Sequence, residues 1–178
     1  STSCKTMCSI ELSEPDLLEC MHTQTNVSCR NGSDGTLTIL ASGGVTEYEY
    51  NLDGGPWQTS PSFNNLTAGN YLITVRDDNE CTSSCSATIS EPSELSCTIV
   101  SSPVLCNGTA TGSLITNANG GTGDYEYNLN NGPWQISNSF SALNAVLYTV
   151  TVRDDNDCTA QCVVTITEPE ALSCNLSG

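Results

Sequence analysis

The chain has 178 residues, with only 4 Lys and Arg against 20 Asp and Glu, a formal charge of -16. A phosphate backbone or an anionic membrane surface would be repelled by such a chain, so neither nucleic acid nor a bilayer is an expected partner. No run approaches the roughly 20 apolar residues a membrane-spanning helix needs and no basic, apolar signal segment opens the chain, which points to a soluble mature chain or fragment.

In chain order, residues 1–20 read as the last strand of a preceding module, or as a donor strand for a neighbouring subunit. Against the donor reading, the chain carries two further copies of that strand. Ile10 and Leu12 alternate toward one face there, and Leu37 with Ile39 do the same in the next apolar stretch. Gly43-Gly44 interrupts the chain before Tyr48, Tyr50 and Leu52, again inward by period two. Asp53-Gly54 follows as a tight turn, whose counterpart is expected at Asn131-Gly132. Tyr71, Ile73 and Val75 form another strand, then the acidic turn of RDDNEC, then Ala87 and Ile89.

From this point the pattern starts again. "YLITVRDDNEC" at 71–81 returns as "YTVTVRDDNDC" at 148–158, a shift of 77 positions, with Tyr148, Val150 and Val152 inward. The same shift aligns Cys20, Cys97 and Cys174; Cys4, Cys81 and Cys158; Cys8, Cys85 and Cys162; and Cys29 with Cys106. A period of this kind predicts modules in series. The expected divisions are 21–97 and 98–174 as complete units, with 1–20 ending an earlier unit and 175–178 starting a later one, a window on a longer tandem array. Short alternating strands separated by turns, with no helical period, predict Greek-key β-sandwiches with strands of about 7–10 residues.

Eleven cysteines with a single histidine, His22, favour disulfides over zinc and hence a secreted, extracellular or cell-surface location. Small units have marginal cores, and each disulfide adds about 2–4 kcal/mol.

The run "C.NGSDGTLTILASGG…YEYNLDGGPWQ…SFNNLTAGNYLITVRDDNECT" from Cys29, and its second copy from Cys106, resemble the SprB repeat of bacterial cell-surface adhesins and gliding-motility proteins. The resemblance implies a secreted array of immunoglobulin-like sandwiches. In that order, Cys20 and Cys97 at the start of the first strand lie near the last hairpin, and pair within a unit with Cys81 or Cys85 and with Cys158 or Cys162. Cys29 then faces the next unit's hairpin, which allows a Cys29–Cys158 bridge between units. The family pattern suggests the rival pairs Cys29–Cys81 and Cys106–Cys158, and both schemes stay open.

Other candidate sites are weaker. Asp77, Asp78 and Asn79, with Asp154, Asp155 and Asn156 and the linker's Glu91, cluster oxygens that suit a calcium-stiffened joint. The plainer reading, that they solvate tight turns, is preferred because no spacing matches a known calcium loop. Trp57 and Trp134 could stack on a surface glycan, although a repeated Trp closing a sandwich edge is commoner. Asn26, Asn31, Asn65, Asn107 and Asn175 occupy glycosylation sequons of a candidate glycoprotein, a count that Asn, Ser and Thr abundance also explains. No recurring nucleophile–base pair or paired carboxylates supports catalysis. The expectation is a structural rod or filament body whose partners are adjacent repeats or copies of itself, with a glycan-binding adhesive module as the alternative.

Overall fold

The computed structural model describes Ile10 and residues 13–174. Most of the leader expected to form a terminal or donor strand, including Cys4, Cys8 and Leu12, lies outside the described residues, as does Asn175. The chain is all-β, as two tandem, disulfide-stapled, immunoglobulin-like Greek-key sandwiches. The first comprises β1 (Glu19–Thr25), β2 (Gly35–Ser42), β3 (Glu49–Leu52), β4 (Ser62–Leu66), β5 (Gly69–Arg76) and β6 (Thr82–Ile89). The second repeats it as β7 (Ser96–Ser102), β8 (Gly112–Asn119), β9 (Glu126–Leu129), β10 (Ser139–Leu143), β11 (Leu147–Arg153) and β12 (Thr159–Thr165). These strands run to 4–8 residues, shorter than expected, because glycines and turn residues cut them early.

Each sandwich has two three-stranded antiparallel sheets, ordered β1-β2-β4 and β3-β5-β6 in the first and β7-β8-β10 and β9-β11-β12 in the second. Alternation places one face of every strand in a shared core, since successive side chains point to opposite faces. Leu37, Ile39, Tyr50, Ile73, Val75, Ala87 and Ile89 fill the first core, and Leu114, Tyr127, Tyr148, Val150 and Val152 fill the second. Ile10 departs from the pattern: it is 83% exposed and belongs to neither core. Both cores are plugged from outside the strands, by Leu18 and Leu95 respectively. The chain therefore passes from one unit to the next within Ser90–Glu94.

Two bridges staple sheet to sheet. Cys20 on β1 bonds Cys85 on β6, and Cys97 on β7 bonds Cys162 on β12, with Cα atoms 5.6 and 5.9 Å apart. Each closes a separation of 65 residues, so each removes about 4 kcal/mol of unfolded-chain entropy in the loop-closure account.

The tight turns show one correction. Asp53-Gly54 has the predicted positive φ at both residues, but the second unit's turn is centred on Asn130-Asn131, one residue earlier than expected at Asn131-Gly132. The Gly132 amide donates to the Leu129 carbonyl, as Gly55 does to Leu52, and that bond fixes which pair is central. Asn tolerates the left-handed region well enough to replace Gly there.

Candidate functional site: the joint between the two units

The acidic hairpin is built around its first aspartate. Asp77 accepts at its main-chain carbonyl from Glu80 N (2.9 Å), while Glu80 takes a positive φ of 63°, giving a three-residue hairpin loop with a bulge. The Asp77 side chain turns inward: Oδ1 accepts from Asn79 N and Cys81 N, and Oδ2 from Val45 N, at 2.9–3.0 Å. The Val45 amide first, then those of Cys81 and Asn79, hold its carboxyl below the usual 3.8, against the opposing pull of burial. Asp154 repeats the arrangement with Thr122, Asn156 and Cys158 amides. Gly44 and Gly121 are required beside these carboxylates, since a Cβ at either would strike Oδ2.

Each hairpin is also braced from its flank. Arg76 pairs with Glu49 (2.5 Å) and lies over the Trp57 ring at 4.5 Å; Arg153 does the same with Glu126 and Trp134. One face of each half-buried Trp is thus covered by a guanidinium.

At the opposite end of each sandwich, the β1–β2 loop grips the outgoing chain. Val27 N donates to Ser90 O, Ser90 N to Asn26 Oδ1, and Asn31 N to Glu91 Oε2. In the second unit Val104 N donates to Thr167 O, Asn107 Nδ2 to Pro169 O and Gly108 N to Glu168 Oε2.

The joint brings these two ends together. Cys29, in the first unit's loop, is bonded to Cys158, in the second unit's hairpin, with a Cα separation of 5.7 Å and 129 residues between them in sequence. Cys29 therefore does not pair with Cys81, and Cys106 does not pair with Cys158. Asn156 Nδ2 donates to Ser28 O at 3.1 Å across the same gap, and Gly121 N donates to Ser93 O of the linker. A cleft of about 270 Å³ remains between Cys29–Asn31, Pro92–Leu95 and the Gly121 and Cys158 side.

The oxygen-bearing candidates are dispersed around this joint. Glu91 and Asn156 line one groove together, whereas both carboxylate oxygens of Asp77 and Asp154 are engaged by main-chain amides. Asp78 and Asn79 lie at the hairpin remote from the joint, and Asp155 anchors its amide on Thr122 O. Among the described residues, no group of three or more His, Cys, Asp or Glu side chains gathers as a metal site. Asn26, Asn31, Asn65 and Asn107 are all exposed. The residues that sequence reasoning passed over are Ser28 and Ser93, which meet the second unit through main-chain carbonyls and so carry no side-chain signal.

Residues 22–56 and 98–133 match the family described as the SprB repeat. Each unit thus carries a segment similar to the SprB repeat, together 71 of the 178 residues. Each match starts in the unit's first strand and runs through its tight turn, ahead of the acidic hairpin. Among solved structures, the three N-terminal domains of the highly immunogenic outer capsid protein of bacteriophage RB49 align over 85% of this chain at 16% identity, with a TM-score of 0.52. The chain spans 59% of that solved three-domain chain, and at this identity the likeness is one of fold. Fibronectin(III)-like modules of CbhA from Clostridium thermocellum align over 91% of this chain and all of theirs, at 10% identity and a TM-score of 0.38. The C-terminal fragment of intimin, solved with the intimin-binding domain of its translocated receptor, aligns over 84% of this chain and 64% of its own, at 12% identity and a TM-score of 0.43. No curated protein matches the chain. The SprB-repeat matches, with three disulfides among the described residues that accord with an oxidising environment, support an extracellular surface repeat protein.

Proposed function

We propose that this chain is a load-bearing spacer of a secreted surface protein, a stalk or filament body in which successive SprB repeats are locked into a stiff rod. The Cys29–Cys158 bridge carries the reading. Two sandwiches joined by one peptide segment can hinge about it; joined at a second, covalent point on the facing ends, they lose most of that freedom. The Asn156–Ser28 hydrogen bond fixes the remaining twist.

A structural role also suits what surrounds the joint. The most concentrated polar chemistry, in the acidic hairpins, is spent on main-chain amides that shape the ends of the units. Repetition of such units supplies reach from the cell surface.

The test compares the oxidised chain with Cys29→Ser and Cys158→Ser by small-angle scattering and by imaging single molecules. The expected result is a broadened distribution of inter-unit angles in both variants, with both units still folded. An unaltered distribution would sink the stiff-rod reading.

A further inference from the structure

Among the described residues, each half of the Cys29–Cys158 bridge has one copy elsewhere, and both copies are free thiols. Cys106 is the counterpart of Cys29 and Cys81 that of Cys158, by the shift that relates the units; both are exposed. Their settings are preformed. Around Cys81 the hairpin keeps the Asp77 amide bonds that shape the Cys158 hairpin. Around Cys106 the loop is held by Gly108 N on Glu168 and by Asn107 on Pro169.

The cleft at the joint also recurs. Leu105, Cys106 and Asn107 with Pro169, Ala171 and Leu172 line an open cleft of about 500 Å³, and these are the counterparts of joint residues 28–30, 92, 94 and 95. What it lacks is the wall that Gly121, Cys158 and Thr159 provide at the joint. Leu105 and Leu172 are 77% and 104% exposed, while Leu95, the counterpart of Leu172, is buried in the unit it precedes.

We propose that Cys106 and Cys81 are the open halves of this bridge: a second copy of the chain docks its Asp77–Cys81 hairpin on the Leu105–Leu172 cleft and closes a Cys106–Cys81 disulfide, extending the array end to end. The proposal rests on the rod reading and deepens it by naming the partner. The occupant follows from continuity with the established joint, where a hairpin with Cys at that position is seated on this cleft beside Gly121. In the new joint, Asp16–Leu18 of the incoming copy stands where Ser93–Leu95 stand now, its Asp16 carbonyl already holding Gly44 N. Ala171–Cys174 of the receiving copy, which are exposed and outside any strand, turn aside.

Bond formation takes a small disulfide oxidant of the glutathione class. The Cys106 thiolate attacks its S–S bond, forming a mixed disulfide and releasing one thiolate; the Cys81 thiolate of the second copy then displaces the other. Two protein thiols lose their protons to solvent, one oxidant disulfide is reduced to two thiols, and one protein disulfide is gained.

The purified chain, its three disulfides intact, is treated with oxidised glutathione, run on non-reducing gels and mapped by peptide mass spectrometry. The expected result is a ladder in steps of the 18.8 kDa chain, collapsing on reduction, with Cys81–Cys106 as the intermolecular peptide. Cys81→Ser and Cys106→Ser each remove the ladder alone and together give a single dimer band. Persistent monomer, or intermolecular links through Cys4, Cys8, Cys174 or between two Cys106 residues, would overturn the proposal. So would Cys106 in native material bonded to a peptide from outside this sequence. None of these outcomes alters the inter-unit angles of the single chain, so failure here leaves the rod reading to its own test.

Discussion

The hairpin at the joint and the hairpin at the far end of the first unit are one construction in two settings. Asp154 and Asp77 hold corresponding amides, and Arg153 and Arg76 cover corresponding tryptophans. Apart from an added Arg153–Asp157 pair, what differs is the surroundings: Cys158 is bonded and half-buried, whereas Cys81 is an exposed thiol. The hairpin therefore takes its shape from its own unit. The joint is a docking of finished ends, and the covalent bond records the docking rather than creating the surface.

The strongest way to break this comparison is to damage one core. Leu37 and Leu114 are counterparts and are almost wholly buried. Leu37→Ala or Leu114→Ala should each cost about 2–5 kcal/mol. In a Cys29→Ser background the loss should appear in the altered unit alone, as two separated calorimetric transitions. With the bridge intact the transitions should draw together, because the first unit to open bears nearly the whole closed-loop penalty and the second adds little to it. Separate transitions in both backgrounds would mean that the joint couples nothing.

Next in size are the disulfides themselves. Removing Cys97 and Cys162 together as Ala should cost the second unit about 2–4 kcal/mol in denaturant unfolding. Removing the joint bridge as Cys29→Ser with Cys158→Ser should instead separate the two units' transitions while both units stay folded. Hydrogen exchange at the Asn156 and Cys158 amides should also stay slow, since Asp154 holds them in either case. Fast exchange in the double variant would show that the bridge shapes the hairpin after all.

The modules, their cysteine scheme and nearly every inward residue were legible in the sequence, because a period of two and a repeat shift are properties of neighbours along the chain. Leu37, Ile73, Ala87 and Val150 needed no structure to be placed in a core. The joint was legible only as one of two open pairings, since Cys29 and Cys158 lie far apart in sequence and nothing local distinguishes Cys158 from Cys81 as a partner. The acidic hairpins misdirected attention outward. Asp followed at two and four positions by amides that must be satisfied in a tight loop is a side-chain cap, and the extra acids at Asp78 and Asp155 obscured it. The shift of the second turn to Asn130-Asn131 was hidden because Asn131-Gly132 is the stronger local signal for a tight turn.

A smaller test addresses the side-chain hydrogen bond that Asn156 makes across the joint. Asn156→Ala removes its donation to Ser28 O, worth about 0.5–1.5 kcal/mol to the docked state. Asn79→Ala, at the counterpart position, should change nothing measurable. In the Cys29→Ser background, Asn156→Ala should widen the inter-unit angle distribution further, and Asn79→Ala should not.

The finest distinction between the two ends is acid sensitivity. In the first unit the β1–β2 loop is tied by Asp34, whose carboxylate accepts from Ser28 Oγ and, at 3.0 Å, from Ser28 N; in the second unit Thr111 takes that place, its hydroxyl accepting from Leu105 N at 2.8 Å. The Ser28 hydroxyl first, then its amide, hold the Asp34 carboxyl below the usual 3.8. A carboxyl depressed on folding contributes stability that is present above about 3.8 and is lost as the pH falls through its lower folded value. Acidification below that point should therefore speed hydrogen exchange at Ser28 N before Leu105 N, which is held by a group that does not titrate. Asp34→Thr should make the two loops respond alike. Since Ser28 also accepts from Asn156, protonating Asp34 should loosen the joint from the first unit's side while leaving the Cys29–Cys158 bond in place. The signature is a wider inter-unit angle at low pH that Asp34→Thr does not show.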